Sequence, residues 1–205
     1  MKHAEARALK VAVYGALSPV GQALMTELRS RDHEAIPLTV DFSALPPRPY
    51  PDVKTSHVFS AQKVSRNVAG MKAVIAVLDP PRASSDATPT LNDPTYLVDA
   101  VAALISGLRK VKVSQLLLVG DFSGLEDDGA DPDWRLVCQK IHDRLDTSPL
   151  HWTLVSCPFP SNERIPQLAA LSSRDLPHEL LHFAAEVADM LERPGHSGQH
   201  LSLVH

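Results

Sequence analysis

Only two cysteines, Cys138 and Cys157, occur in 205 residues, and their spacing is not CxxC. That excludes a disulfide framework and a cysteine zinc site, and leaves buried thiols as the plain reading. An excess of basic residues is missing too: the formal charge of −4 offers no electrostatic footprint for nucleic acid. No apolar run approaches the ~20 residues that span a bilayer, and the opening Met-Lys-His-Ala-Glu-Ala-Arg lacks the apolar core of a secretory leader. The expectation is a cytoplasmic protein with neither a nucleic-acid nor a membrane partner. The composition is that of a globular chain, 44% hydrophobic and 21% charged, and the length suits one well-buried domain over residues 1–205.

The informative stretch runs from Lys10 to Ser30. Val11 to Tyr14 is a short apolar, β-branched strand signal, and from Pro19 onward Val20, Ala23, Leu24 and Leu28 recur at helical spacing. Gly15 and Gly21 lie in the turn between them. A strand, a glycine turn and a helix N-terminus are the parts that bind a dinucleotide pyrophosphate, because unpaired helix N–H groups and the positive end of the dipole meet the phosphates. Gly15, Leu17, Ser18, Pro19, Val20 and Gly21 are therefore the first cofactor-binding candidates. Ser18 followed by Pro19 also reads as an N-cap and first-turn pair, which starts a helix well but removes one N–H.

Further along, His33 to Val40 reads as a second strand, with Pro37 pointing to an irregular or near-edge position. Pro46, Pro47, Pro49 and Pro51 make the next crossover a loop. A strand follows near Thr55 to Phe59, then a short helix from Ala61 to Val68 and a buried strand from Ala73 to Leu78 ended by Asp79-Pro80-Pro81. Asp93-Pro94 opens a helix whose stripe is Leu97, Ala100, Val101, Leu104 and Leu108. Gln115 to Val119 is a continuous apolar run suited to the centre of a parallel sheet. A polar, acidic loop from Gly120 to Asp133 precedes a helix with Trp134, Val137, Ile141 and Leu145 inward. Trp152 to Val155, a C-terminal helix striped by Leu180, Ala184, Val187 and Leu191, and a short strand from Leu201 to Val204 complete the chain. Such alternation specifies an α/β, Rossmann-like, doubly wound and mostly parallel sheet with helices on both faces. In that fold the carboxyl ends of strands line the ligand crevice, which adds Asp41, Asp79 and Pro80 to the cofactor candidates.

The spacing Gly15, Ser18, Gly21 resembles the Gly-x-x-Gly-x-x-Gly turn of the short-chain dehydrogenase/reductase family, without its middle glycine. The piece from Lys140 to Pro158, with a helix lysine, Leu-x-x-Ser, Trp-Thr, a strand and a proline, resembles the atypical, NmrA-like branch. The resemblance implies NAD or NADP as cofactor, with Val40 standing where many members carry an NADP-selecting arginine, so the preference stays open. It implies that Lys140 hydrogen-bonds a nicotinamide ribose, and that a serine after the fifth strand orients substrate. Gly120 and Asp121 occupy that serine's place here, with Ser123 close by. Leu136 stands where the acid/base tyrosine is expected, and a leucine exchanges no protons. Lys140 and Ser123 are thus the catalytic candidates, and Asp121, Phe122, Pro158 and Phe159 the substrate border. Two functions fit: hydride transfer from NAD(P)H to a small, easily reduced acceptor, for which positioning suffices, or a non-catalytic dinucleotide sensor.

A competing motif lies near the end. His178-Glu179-Leu180-Leu181-His182 matches H-E-x-x-H, in which two histidines one helical turn apart hold zinc. Pro177 puts His178 in the first turn, no third histidine follows at the usual spacing, and the stripe of this helix is that of an ordinary packed one. A zinc peptidase is the third reading, and no metal ligand is assigned.

Overall fold

A computed structural model of the chain describes residues 8–39, 54–55, 58–78, 95–127, 129–157 and 176–203. Seven parallel strands form one sheet: β1 (Lys10–Tyr14), β2 (Glu34–Thr39), β3 (Lys54–Thr55), β4 (Ala73–Leu78), β5 (Gln115–Gly120), β6 (His151–Ser156) and β7 (Gln199–Ser202). Their order across the sheet is β3-β2-β1-β4-β5-β6-β7. The order reverses between β1 and β4, and doubly wound sheets bind ligands at the carboxyl side of such a switch point.

Among the described residues, five helices cover the sheet: α1 (Pro19–Ser30), α2 (Ala61–Asn67), α3 (Thr95–Lys110), α4 (Pro132–Asp146) and α5 (His178–Glu192). Side chains alternate along a strand, so β1 sends Ala12 and Tyr14 to the core shared with α2, α3 and α4, and Val11 and Val13 to the core shared with α1 and α5. Covering both faces explains why β4 and β5 read as unbroken apolar runs; every residue of β4 is buried. The stripes predicted for α3 and α5 are all buried, as are Val137, Ile141 and Leu145 of α4, with Trp134 packed against that core.

The differences from the sequence expectation are local. Only Lys54–Thr55 pairs as β3, while Val58 and Phe59 form a turn. Pro37 sits within a regular β2, opposite Val13 of β1. On the other side β3 pairs only with Leu38 and Thr39, so the missing proline N–H costs no ladder bond there. The last strand begins earlier, at Gln199, because Gly198 turns at φ +75° and donates its N–H to the Trp152 carbonyl. Pairing of Thr153 with Gln199 follows at once. Asp93 and Pro94 lie outside the described residues.

α5 connects β6 to β7 on the α1 face, whereas α3 and α4 make their crossovers in the same direction on the opposite face. The last crossover therefore has the opposite hand to the usual one, and it needs specific fastening. Phe183 and Val187, fully buried, pack into the core with Leu24 and Leu28 of α1. At the amino ends of the strands, Arg31 reaches Glu27 at 2.7 Å, Asp189 at 2.5 Å, Glu192 at 3.3 Å and the Ala185 carbonyl at 3.1 Å. Burial disfavours its charge, but the hydrogen bonds to Asp189 and Glu27 outweigh that and raise its proton affinity. Beside it the His33 side chain, 1% exposed, accepts the Leu9 N–H on Nδ1 at 3.2 Å. That fixes the proton on Nε2, which donates to Glu192 at 3.0 Å. Arg31→Ala is expected to cost about 2 kcal/mol in urea unfolding, since it strands three carboxylates. Arg31→Lys should restore less than half, lacking the planar fork.

Candidate functional site

The turn from Gly15 to Gly21 leaves β1 at the switch point. Gly15 adopts φ +73°, and Ser18 closes the turn by donating its N–H to the Gly15 carbonyl at 3.0 Å. The Ser18 hydroxyl donates to the same carbonyl at 2.8 Å and accepts the Gly21 N–H at 3.0 Å, which makes it the N-cap of α1 with Pro19 in the first turn. Gly21 is required by contact: a β-carbon there would lie 2.1 Å from the Gly15 carbonyl oxygen. The helix start thus touches the strand end backbone to backbone, as a dinucleotide turn requires.

Ser18 consumes one donor of the helix N-terminus, the Gly21 N–H, and Pro19 has none. The N–H groups of half-buried Leu17 and buried Val20 have no acceptor among the described residues. A buried N–H without a partner costs about 1–3 kcal/mol; an anionic oxygen at the helix N-terminus would satisfy that of half-buried Leu17, whereas Val20 is fully buried. Gly15, Leu17, Ser18, Pro19, Val20 and Gly21 lie together in this turn and the start of α1. Val40, Asp41, Asp79, Pro80, Pro158 and Phe159 lie outside the described residues.

At the carboxyl end of β5, Asp121 accepts the Ser123 N–H at 3.0 Å and the Ser123 hydroxyl at 2.6 Å. That bond starts a single 3-10 turn, Ser123–Leu125. Gly124 sits tight against α4, where a β-carbon would fall 3.1 Å from the Cys138 sulfur. The Cys138 thiol is pushed up to about 12 by burial and by the Asp121 charge, so it is an inert packing group. Phe122 is 2% exposed and meets the His200 ring edge-on, with centroids 6.3 Å apart. Lys140 is exposed on α4 and makes no hydrogen bond or ion pair with the described residues. One turn earlier Leu136, at the expected tyrosine position, is 53% exposed.

Sequence reasoning missed His200, Glu126 and Ser156. His200 Nε2 lies 2.8 Å from Ser156 Oγ and 3.3 Å from Glu126 Oε1. Burial lowers the His200 proton affinity, opposed by Glu126 and assisted by His142. Nothing in the spacing could have shown this, because β7 meets β6 only after the long α5 crossover. The H-E-x-x-H histidines, by contrast, gather no third ligand among the described residues. His178, Glu179 and His182 are exposed, His182 approaches Glu186 at 3.5 Å, and no group of three metal-ligating side chains occurs among the described residues.

No family model and no curated protein matches this chain. Solved structures do. A Rossmann-fold NAD(P)-binding family protein from Shigella flexneri is 16% identical, with TM-score 0.62 over 95% of this chain and 92% of its own. A wide-type short-chain dehydrogenase/reductase from Veillonella parvula, in complex with NADP, is 12% identical, with TM-score 0.62 over 95% and 94%. The oxidoreductase ylbE from Lactococcus lactis is 15% identical, with TM-score 0.61 over 95% and 90%. At these identities the likeness establishes the class of fold: a Rossmann-like α/β protein. Among the described residues no helix is long and apolar enough to cross a membrane.

Two outcomes are expected. The lowered His200 value means that the neutral ring stabilises the fold above its ordinary value of 6.5, and that this stabilisation is lost as pH falls through the folded value. The melting temperature should therefore drop as pH falls from 6.5 to the lowered folded value, and His200→Gln should flatten that limb. Purified protein should carry sub-stoichiometric zinc by mass spectrometry, and phenanthroline should leave its melting temperature unchanged.

Proposed function

We propose that this chain binds NAD or NADP at the Gly15–Gly21 turn and passes hydride to a small organic acceptor. The observation that carries this reading is the turn itself: Gly21 against the Gly15 carbonyl, and the Leu17 and Val20 N–H groups without acceptors among the described residues. The solved Rossmann neighbours, one of them holding NADP, support it.

In this reading the Leu17 amide at the start of α1 holds the pyrophosphate, with Gly15, Ser18, Pro19, Val20 and Gly21 shaping the turn, and Asp41, Val40, Asp79 and Pro80 border the adenosine. Lys140 hydrogen-bonds the ribose next to the reacting ring, while Asp121, Phe122, Ser123, Pro158 and Phe159 frame the acceptor. When bound, the nicotinamide supplies the hydride. Leu136 offers no proton, so solvent protonates the product, and acceptors such as quinones or flavins, which need positioning more than acid catalysis, suit the site. The NmrA-like branch of the short-chain dehydrogenases is the proposed family, with one domain over residues 1–205, a cytoplasmic location, and no nucleic-acid or membrane partner.

A second reading is favoured by two specific observations. Leu136 replaces the tyrosine, and Ser123 spends its hydroxyl on Asp121. A dinucleotide sensor without turnover needs neither group, and shares the same binding turn.

Titration with NADH and NADPH, followed by fluorescence and by calorimetric heat, tests both readings. Saturable binding is expected; no binding of either at millimolar concentration sinks both. Gly21→Ala should abolish binding. Ser18→Gly should tighten it several-fold by freeing the Gly21 N–H and removing a β-carbon, while costing only a few tenths of a kcal/mol at the cap.

A further inference from the structure

The end of β5 provides no free hydroxyl. A β-carbon at Gly120 would fall 2.6 Å from the Leu78 carbonyl oxygen, so no serine fits there, and the Ser123 hydroxyl donates to Asp121 at 2.6 Å. One strand over, Ser156 pairs with Gly120 in register, at the same level of the sheet. Trp152 and Leu154 belong to the α4-side core, and the strand alternates, so Ser156 projects to the α4 side as well. It is half-buried.

Behind Ser156, His200 Nε2 contacts its Oγ at 2.8 Å and Glu126 Oε1 at 3.3 Å. An ionised carboxylate only accepts, so a neutral His200 beside it carries its proton on Nε2. The Glu126 charge at 3.3 Å favours that tautomer, and the Nε2–H then donates to the Ser156 oxygen, the acceptor in the pair. Both contacts fall on one nitrogen, so the trio is no charge-relay triad, which needs the acid on the other nitrogen. Its effect is directional. With its oxygen engaged by His200, the Ser156 hydroxyl keeps its own proton to donate, and it has no acceptor among the described residues. Phe122 packed edge-on against the imidazole restricts ring rotation.

We propose that Ser156 is a ligand-binding hydroxyl, aimed by Glu126 and His200 at a carbonyl or carboxamide oxygen seated over the carboxyl ends of β5 and β6. Ser156 is the contact residue; His200 and Glu126 are positioning residues. The ligand's identity rests on the cofactor reading above, since that oxygen belongs either to the nicotinamide carboxamide or to the acceptor.

The test separates these sources and separates this inference from the reading beneath it. A long-range proton–nitrogen NMR spectrum of the wild-type chain at pH 8 should show His200 protonated on Nε2; an Nδ1–H tautomer overturns the proposal whether or not any dinucleotide binds. Ser156→Ala should weaken NADPH about tenfold and leave ADP-ribose unchanged if the oxygen is the carboxamide's. If it is the acceptor's, NADPH affinity should hold and kcat for 9,10-phenanthrenequinone reduction should fall about tenfold. His200→Gln, which retains an N–H donor, should keep most of the wild-type value, and His200→Leu should match Ser156→Ala. No change in either measurement for Ser156→Ala overturns the proposal. Absence of NADH and NADPH binding by the wild type removes the cofactor reading instead, and leaves the aim of Ser156 to the tautomer.

Discussion

The backbone approach of Gly21 to the Gly15 carbonyl is the constraint on which the remaining arrangement depends. Without a β-carbon at Gly21 the first turn of α1 can lie directly on the end of β1, and that sets both the helix and its cap. From there α1 presents Leu24 and Leu28 to the sheet and to α5. The same contact places the helix N-terminus at the switch point, so the feature that lets the fold pack also creates the anion-attracting end. Ser18 modifies it: its hydroxyl stabilises the turn from inside and occupies the Gly21 N–H, one of the donors of the helix N-terminus.

The two ends of the sheet have different tasks. At the amino ends, Arg31 and His33 join α1, β2 and α5 through Glu27, Asp189 and Glu192, holding a crossover of unusual hand in place. At the carboxyl ends, polar groups serve orientation: Asp121 fixes Ser123, and Glu126 and His200 fix Ser156. The loop between β5 and α4 is gripped from both sides, by Gly124 against Cys138 and Arg135 and by Phe122 against His200. A rigid frame around a short polar loop is how scaffolds of this kind hold binding groups.

Much of this was legible in the residues. The switch from an apolar β-branched run to helical spacing across Gly15 and Gly21, the stripes of α3 and α5, and the unbroken apolar β4 and β5 all followed from periodicity, because each records which local surface is buried. The N-cap role of Ser18 was equally local. For the candidate site, the turn residues were legible for the same reason, while Ser123 was visible only as a nearby hydroxyl whose commitment to Asp121 needed coordinates.

The sequence alone determined what lies within one turn or one strand: where elements begin, which faces are apolar, and that the β1–α1 junction needs glycine, since these follow from backbone sterics and side-chain period. Only the tertiary structure decided which distant residues meet. Arg31 with Asp189 and Glu192, and Ser156 with His200 and Glu126, are joined by strand order and by the hand of the last crossover. Those depend on how two cores close around one sheet, and no short stretch of sequence carries that information.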